Sequence, residues 1–336
     1  VRYMQYYLTG VGKSRNIRDN LFVVNAVINS VIQNELENID IKVYDIAKCF
    51  DSLWLQEVLN DMYDTGLQND NLVLLYEENK QNKVAIKTSF GKTQQILLEQ
   101  IVMQGTVFGS LKCTAQMDNL PRSAYKEGKL LYKYKESVDI PPLGMVDDIL
   151  TVSKCGNSSV MSNTIVNTFT ETKKLKFSDK KCHKLHIGKT NKLCPNLSVH
   201  SNKMENSEKE RYLGDLISST GKNKDNIESR INKGYGLVAD ILAILDEVPL
   251  GKHKLEIGLL LRQALFLNGT LYNSEAWTDI SDKDITDFEK IDEYLLRSLL
   301  KGHSKTPLEM LHLETGTLPI KYIIASRRIL YHHNII

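Results

Sequence analysis

Apolar and polar residues follow short-strand patterns in the first two thirds of the chain and helical patterns in the last third. Ile41–Asp45 predicts a strand that ends in a carboxylate. Apolar residues at i, i+3, i+4 and i+7 over Leu55–Met62 predict the helix that follows. We expect Asp51 or Ser52 to be the N-cap of this helix and Gly66 to lie near its end.

Similar patterns predict the other elements. A helix is predicted over Asn69–Gln81. A hairpin is predicted from the strands Val84–Ile86 and Gln95–Leu98, with its turn at Phe90-Gly91-Lys92. A loop with two glycines at Gln104–Ser110 is predicted to lead into a helix that ends before Pro121. After residue 160, the patterns predict a helix over Ser162–Lys174 and strands at Leu185–Ile187 and Tyr212–Ile217. They then predict helices over Lys224–Leu245, Lys252–Leu267 and Asp284–Leu300. The predicted fold class is α+β to about residue 217, followed by nearly all α.

An acidic pair interrupts the apolar run Leu143–Val152, which predicts a tight hairpin with Asp147 and Asp148 at its tip. Adjacent aspartates in apolar surroundings repel one another, and each uncompensated buried charge is unfavourable. Asn-Gly or Asp-Gly would suit a two-residue turn better than Asp-Asp. A bound cation would remove the penalty, while an exposed turn, where Asp is common, is the alternative. Asp45 also has two interpretations, a metal ligand or an N-cap for the next helix.

Asp45, Asp147 and Asp148 would suit nucleotidyl transfer if their strands lie in one sheet. That reaction uses two magnesium ions about 3.5–4 Å apart, which lower the pKa of the attacking hydroxyl and neutralise charge on the triphosphate. Magnesium prefers hard oxygen ligands such as carboxylates. The three aspartates are therefore the candidate ligands of two Mg²⁺ ions.

Composition adds bounds on the class of protein. With 336 residues, 42% of them hydrophobic and 25% charged, the chain can form two or three globular domains. The sequence has neither a long apolar run nor a signal peptide, so we expect an intracellular protein in the nucleus or cytoplasm. The five cysteines form no CxxC pair, which predicts reduced thiols and neither a disulfide framework nor a zinc knuckle. Val1 is not an initiator methionine, and we expect a fragment.

The net charge of +2 is small, but the charges are unevenly distributed. From Glu171 to Lys233 there are fifteen Lys or Arg residues and eight Asp or Glu residues, an excess of seven positive charges. A basic segment in an otherwise slightly acidic chain fits a protein that holds a polyanion in one place and metal ions in another. A solvated surface with segregated charges is the alternative.

Ordered motifs resemble those of the reverse transcriptases of non-LTR (LINE-like) retrotransposons. They are YDIAKCFDSLW (Tyr44–Trp54), QGTVFGS (Gln104–Ser110), MVDD (Met145–Asp148), LKFSDKKC (Leu175–Cys182) and RYLGDLI (Arg211–Ile217). GVGKSRNIRDNLFVVNAVI (Gly10–Ile28) resembles a fingers motif, and Gly269–Trp277 and Leu313–Ile335 resemble the thumb and post-thumb helices. Met145 replaces the usual aromatic residue before x-Asp-Asp, which removes no metal ligand.

The resemblance implies a role for each motif. Asp45, Asp147 and Asp148 would bind the metal ions, and Lys181 would act on the triphosphate and leaving group. The substrate would be contacted by Phe50, a steric gate against the 2′-hydroxyl of ribonucleotides, and by Gln104, Gly105, Lys13 and Arg15, with Arg18 a further candidate. Tyr212, Leu213 and Gly214 would form the primer grip. Simple core packing for Phe50, a solvated face for Lys181 and a plain edge strand for Tyr212–Gly214 are the alternatives.

The implied architecture is a right-hand polymerase with an antiparallel palm sheet and packed helices. We expect a fingers remnant at residues 1–40, a palm with finger-like insertions at 41–220, a helical thumb at 221–302 and a post-thumb segment at 303–336. The implied partners are an RNA template, a DNA primer and dNTPs, with no membrane. Three alternatives are a non-catalytic relic, a nucleic-acid-binding module that uses the basic segment, and another palm-fold enzyme such as a nucleotide cyclase.

Overall fold

A computed structural model describes residues 16–33, 37–79, 83–97, 108–126, 132–134, 138–188, 195–249 and 252–335. The chain forms two compact units. The first consists of Val1–Gly214 with Ser219–Gly221, and the second of Asp215–Ser218 with Lys222–Ile336.

The first unit mixes helices and strands. Its helices are α1 (Ile17–Gln33), α2 (Cys49–Ser52), α3 (Leu55–Asp64), α4 (Asp70–Asn79), α5 (Gly109–Met117), α6 (Asn119–Lys126) and α7 (Asn157–Thr172), with a 3₁₀ turn at Asp179–Lys181. Its strands are β1 (Ile39–Asp45), β2 (Lys83–Val84), β3 (Lys87–Thr88), β4 (Gly91–Lys92), β5 (Ile96–Leu97), β6 (Tyr132–Tyr134), β7 (Val138–Ile140), β8 (Leu143–Met145), β9 (Asp148–Lys154), β10 (His183–Ile187), β11 (Ser198–Val199), β12 (Asn202–Lys203), β13 (Glu205–Asn206) and β14 (Lys209–Tyr212).

The second unit is helical apart from one strand. It contains β15 (Asp215–Ser218), α8 (Lys224–Asp246), α9 (Lys252–Leu261), a π-helical segment (Arg262–Leu267), α10 (Asn268–Thr270), a 3₁₀ turn (Ser274–Ala276), α11 (Asp282–Leu300), α12 (Leu308–Thr315) and α13 (Ile320–Ile335). The expected α+β class, with nearly all α at the end, is confirmed.

A five-stranded sheet in the order β13-β10-β1-β9-β8 is the centre of the first unit. β1 lies between β9 and β10 and pairs antiparallel with both, so it is buried along its length. β8 and β9 form the acidic hairpin at the sheet edge. The motif strand that ends at Asp45 is therefore hydrogen-bonded directly to the strand that begins at Asp148.

The two faces of β1 differ in character because successive side chains point to opposite faces. One face carries Asp40 and Lys42, both buried. The opposite face carries Ile41 and Val43, also buried, and then Asp45. The buried polar side chains of Asp40 and Lys42 thus lie on one face of β1, and the carboxylate of Asp45 lies on the other.

Lys42 is the centre of the polar layer. Its Nζ donates hydrogen bonds to Ser153 Oγ at 3.0 Å and to the Ser159 carbonyl at 2.9 Å, and it also contacts Ser162 Oγ. Burial lowers the pKa of Lys42 to about 7, because the charged form is disfavoured away from water. Helix α7 therefore covers this face through hydroxyl groups, which explains why its first turns are rich in serine.

Several predicted boundaries are wrong for local reasons. Neither Asp51 nor Ser52 caps the predicted helix; both lie in the short helix α2, and Trp54 stands at the N-cap of α3 without a side-chain cap. Pro121 does not stop a helix but lies in the first turn of α6, where a missing N–H is tolerated. The predicted strand Tyr212–Ile217 is interrupted by a turn at Leu213 and Gly214, whose φ values are +47° and +85°.

The second unit has its own apolar core, formed mainly by α8, the π-helical segment and α11. Its buried members include Ile227, Val238, Ile241, Leu245, Phe266, Leu267, Leu271, Trp277, Phe288, Ile291 and Leu295. Arg262, at the start of the π-helical segment, makes a bidentate ion pair with Asp292 of α11, with N–O distances of 2.6 and 2.5 Å. Both partners are buried, so removing either one would leave an uncompensated charge in the core.

Within the described ranges, no helix combines the length and the apolar character needed to cross a membrane.

Candidate active site

The antiparallel register of β1 and β9 brings two of the three candidate aspartates together. Asp45 and Asp148 are direct cross-strand partners at the end of the shared ladder. Side chains of opposed residues lie on the same face, with Cβ atoms about 4.5–5.5 Å apart. Both carboxylates are partly buried. The sequence motifs, more than a hundred residues apart, thus end at one point of the sheet.

Asp147 reaches this point from the hairpin turn. Met145 pairs with Asp148, so the two turn residues are Val146 and Asp147. The expected tip of two aspartates is therefore corrected: Asp147 is in the turn, while Asp148 is the first residue of β9. Val146 has a φ of +59°, which is strained for a β-branched residue. Such strain is typical of positions that surrounding structure holds in place, and it is common at functional sites.

Buried groups behind the hairpin hold it in position. The Asn20 side-chain amide of α1 donates to the Gly144 carbonyl at 3.1 Å and to the Tyr212 hydroxyl at 3.4 Å. The Tyr212 hydroxyl donates to the Leu143 carbonyl at 3.5 Å. Tyr212 is 1% exposed, and burial raises its pKa, with the charge of Asp148 adding to the effect. Its side chain supports β8 from inside the unit, whereas Leu213 and Gly214 are partly exposed.

Burial and mutual repulsion disfavour the charged forms of the hairpin aspartates. Burial raises the pKa of Asp147, the charge of Asp45 raises it further, and Lys181 and a backbone hydrogen bond oppose the shift. Burial also raises the pKa of Asp148, and the charges of Asp147 and Asp45 add to it. A cation between the carboxylates would reverse this effect, because opposite charge favours the ionised form.

Lys181 lies beside Asp45. The Ser178 N–H donates to the Asp45 carbonyl at 2.9 Å, and the 3₁₀ turn that follows ends at Lys181. The Lys181 Nζ lies 3.3 Å from Asp45 Oδ1, and the lysine side chain is 68% exposed. An exposed pair of this kind contributes at most about 1 kcal/mol to stability. The lysine is therefore held lightly and can move to an anionic ligand.

A cavity of about 170 Å³ connects Asp45, Asp147 and Lys181. It is lined by Asp45, Ile46, Lys48, Cys49, Phe50, Asp51, Asp147 and Lys181. Phe50 is half-buried and also packs against the apolar core of the first unit. Sequence reasoning missed Lys48 and Asp51. The signal that could have found them is their position in the tight strand-to-helix turn after Asp45, where Lys48 adopts a φ of +48°.

Most of the remaining predicted site residues fall outside the part of the chain that the structure describes. Lys13, Arg15, Gln104 and Gly105 lie outside the described residues. Arg18 is exposed in the first turn of α1.

A family comparison identifies the protein class. Residues 3–217 match the family model described as "Reverse transcriptase (RNA-dependent DNA polymerase)". The chain belongs to the reverse transcriptase family. The match includes Asp45, Asp147, Asp148 and Lys181 and ends at Ile217. The expectation of an RNA-directed DNA polymerase family is thereby confirmed, while the non-LTR subtype stays a prediction.

Solved structures that are similar to this chain include telomerases from two Candida species. A telomerase from Candida albicans, in complex with the TWJ fragment of telomeric RNA, is 13% identical with a TM-score of 0.46, covering 97% of this chain and 52% of that one. An apo telomerase from Candida tropicalis is 12% identical with a TM-score of 0.48, covering 93% of this chain and 57% of that one. The chain thus spans about half the length of these proteins. No curated protein matches the sequence.

The donor set of the site fits the divalent metals that reverse transcriptases use. Asp45, Asp147 and Asp148 offer carboxylate oxygens, the hard ligands that magnesium prefers. Burial, with the neighbouring carboxylate charges adding to it, raises the pKa of Asp147 and of Asp148, so a bound cation would favour their ionised forms. These three carboxylates do not form a group whose ligand atoms all lie within 4.8 Å.

Proposed function

We propose that this protein is the polymerase part of a non-LTR retrotransposon reverse transcriptase, which extends a DNA primer on an RNA template. The observation that carries the proposal is the pairing of Asp45 with Asp148 across two strands, with Asp147 beside them in the turn. Membership of the reverse transcriptase family supports the reaction class. The motif order from Tyr44–Trp54 to Arg211–Ile217 supports the non-LTR origin.

Asp45, Asp147 and Asp148 would hold two Mg²⁺ ions in this proposal. When bound, the ions supply activation of the primer hydroxyl and neutralisation of charge on the triphosphate. The protein itself contributes the rigid positioning of the three carboxylates on β1 and the β8–β9 hairpin. β1 is the central strand of the sheet, and the hairpin is fixed from behind by Asn20. Such positioning is the main contribution of protein in phosphoryl transfer.

Lys181 and Phe50 would act on the incoming dNTP. Lys181 is an exposed cation at the cavity and pairs with Asp45, and we assign it to the departing pyrophosphate, where it would stabilise developing negative charge or donate a proton. Phe50 lies on the cavity wall and would exclude a ribose 2′-hydroxyl by a steric clash. Lys13, Arg15, Gln104 and Gly105 remain predicted contacts of the substrate. In the predicted primer grip, the partly exposed Leu213 and Gly214 would contact the primer, and the buried Tyr212 would hold their turn in place.

We extend the proposal to the domain organisation and location. Residues 1–40 would be the fingers remnant, 41–220 the palm, 221–302 the thumb and 303–336 a post-thumb segment. A polymerase of this kind needs dNTPs and template RNA, so we place it in the nucleus or cytoplasm.

Primer extension on matched RNA and DNA templates tests the proposal. We expect template-dependent addition of dNTPs that requires Mg²⁺ and stops when the ion is chelated. Folded protein that binds template–primer but adds no nucleotide with Mg²⁺ or Mn²⁺ would contradict catalysis and favour the non-catalytic relic.

One observation favours a nucleic-acid-binding function with or without catalysis. Lys222 precedes α8, Lys224 is its first residue and Lys233 lies further along it, and all three are exposed. Exposed lysines are suited to contacting phosphates, which position a duplex without reading its bases. We therefore propose that this part of the second unit binds the template–primer backbone.

Neutralising these three lysines should weaken duplex binding and reduce its salt dependence. Each phosphate contact releases counterions, so its loss should flatten the log–log salt slope by about 0.9 on a DNA duplex. Binding of the triple variant K222Q/K224Q/K233Q is measured over a salt titration on two unrelated sequences. We expect equal weakening on both.

A variant with the same change of charge, K301Q/K305Q/K321Q, is the control, since these lysines are also exposed in the second unit. If both triple variants keep the wild-type slope, the α8 lysines form a solvated face and the duplex binds elsewhere. If both variants flatten it equally, the effect is one of net charge and not of α8.

A further inference from the structure

A second cluster of metal-ligating side chains lies on the face of the sheet away from Asp45. Asp40, Cys155 and His186 place one ligand atom each within 4.8 Å of the others. In the described part of the chain, it is the one group of three or more His, Cys, Asp or Glu residues whose ligand atoms lie this close together. It belongs to neither the proposed polymerase site nor any motif of the sequence.

The register of three strands assembles the cluster. Asp40 of β1 is the direct partner of His186 on β10 and of Ser153 on β9. Cys155 follows Ser153 by two residues, and its N–H donates to the Asn38 carbonyl at 3.1 Å, which continues the ladder. Because side chains alternate with a period of two, Asp40, Ser153, Cys155 and His186 share one face.

The three side chains are prepared to act as ligands. His186 Nδ1 lies 2.9 Å from Asp40 Oδ1. Asp40 is fully buried beside His186. Cys155 and His186 are partly exposed, which leaves an entry path for an ion.

The spacing suits a tetrahedral ion after a small movement. Ligand atoms bound to zinc at about 2.0–2.3 Å lie roughly 3.3–3.7 Å apart. A separation of at most 4.8 Å exceeds this by only about 1 Å, which a side-chain rotation supplies. A thiolate, an imidazole and a carboxylate together select a transition metal over magnesium or calcium, which prefer oxygen alone.

We propose that Asp40, Cys155 and His186 bind a divalent transition-metal ion of the zinc type, at a site separate from the polymerase aspartates. The site ties β1, β9 and β10 together at the end of β1 opposite Asp45. The five residue steps from Asp40 to Asp45 span about 17 Å of strand. Three protein ligands leave a fourth position for water. The ion would therefore stabilise the sheet without taking part in nucleotide transfer.

Neighbouring cations oppose an ion but do not block it. Lys184 Nζ donates to the Pro195 carbonyl at 2.9 Å. Lys42 donates its hydrogen bonds to neutral serine oxygens.

Cobalt(II) is the probe that distinguishes this site from the aspartates. Coordination by a thiolate gives Co²⁺ a charge-transfer absorption that carboxylate sites lack. Purified protein stripped of metal by a chelator is titrated with Co²⁺. We expect the thiolate band to appear at a stoichiometry of one, to be abolished by Zn²⁺ and to persist in excess Mg²⁺. Its absence in the wild-type protein would overturn the proposal.

Matched variants locate the site. C155A should lose the band, and H186A should bind at least about tenfold more weakly. C113A and H253A, which replace a thiol and an imidazole outside the cluster, should bind as the wild type does, and so should D147N. A band that persists in C155A would overturn the proposal.

Two measurements on the wild-type protein guard against variants that fail to fold. Zn²⁺ should protect Cys155, but not Cys49, from alkylation, as followed by mass spectrometry of each peptide. Saturating Zn²⁺ should also raise the Tm by roughly 5–10 °C, since an ion that binds only the folded state stabilises it. Unchanged alkylation of Cys155 together with an unchanged Tm would contradict a metal site and leave Asp40 and His186 as a structural hydrogen-bonded pair.

Discussion

Replacing Asp147 with Asn is expected to reduce primer extension about a thousandfold while leaving the protein folded. Asp147 lines the cavity between Asp45 and Lys181, and it would be a metal ligand in the proposed reaction. Loss of about 4 kcal/mol of transition-state stabilisation corresponds to that reduction in rate. Asp45→Asn should have an effect of the same order. The measurement is kcat/KM for dNTP addition at saturating Mg²⁺.

The matched control is Asp64→Asn, which removes an exposed carboxylate from α3 in the same unit. D64N should retain extension within about twofold of the wild type, as expected of a surface substitution. Comparable activity of D147N and the wild-type protein would refute the assignment of Asp147 as a ligand.

Asp148→Asn gives a second result that separates a metal site from a structural role. Asp148 faces Asp45 directly, and opposed like charges destabilise a strand pair by up to about 1 kcal/mol. Burial raises the pKa of Asp148, so the folded state disfavours its charged form. Without divalent cations, D148N should therefore unfold about 2–4 °C above the wild type at pH 7.

The sign of this effect can be checked by pH. A raised folded-state pKa lowers stability at pH values above that pKa, where the folded carboxylate must ionise. Below the ordinary pKa of 3.8, Asp148 is protonated in both the folded and the unfolded state, so the difference in Tm between D148N and the wild type should disappear. A variant less stable than the wild type at pH 7 would mean that Asp148 makes a favourable contact in the fold.

Replacing Phe50 with Val is expected to reduce discrimination against ribonucleotides by about 10–200-fold. Phe50 lies on the cavity wall near Asp45 and Asp147, where removing ring volume would make room for a 2′-hydroxyl. Changes of apolar bulk in a pocket alter specificity by about 1–3 kcal/mol. The measurement is the ratio of kcat/KM for dNTP and the matching rNTP.

Phe50 also packs against the apolar core, so a loss of stability has to be separated from a loss of selectivity. Phe169→Val is the control, because Phe169 belongs to the same core but lies on α7 and not at this cavity. We expect F169V to lower the Tm and to keep the ratio. If F50V also keeps the ratio, Phe50 is a core residue and not a steric gate.

Local patterns in the sequence predicted most elements of the fold. The helical spacing over Leu55–Met62 appears as α3, and the helix predicted at Lys224–Leu245 appears as α8 with nearly the same bounds. The apolar run around Asp147 and Asp148 appears as a hairpin. These predictions succeed because helix and strand periodicity is a property of neighbouring residues. These local patterns predicted the α+β class and the position of Asp45 at the end of a strand without any information on long-range contacts.

Errors in the prediction arose where a local signal has two outcomes. Pro121 is compatible with either the end of one helix or the first turn of another, and α6 takes the second. The stretch Tyr212–Ile217 has strand-forming residues throughout, yet Leu213 and Gly214 adopt positive φ values and form a turn. Contacts that no sequence window contains, such as the hydrogen bond between Asn20 and Tyr212, decided which outcome was taken.

The sequence by itself determined which residues could act as ligands, and the tertiary structure decided which of them meet. Asp45 stands opposite Asp148 because the β1–β9 register puts it there, and a slip by one residue would send one carboxylate to the other face. The same register sets Asp40 beside His186, with Cys155 near both. Cysteine spacing along the chain held no sign of that cluster, because its members come from three strands. Pairing between distant strands depends on the whole packed core, which is why local patterns could name the candidates but not their partners.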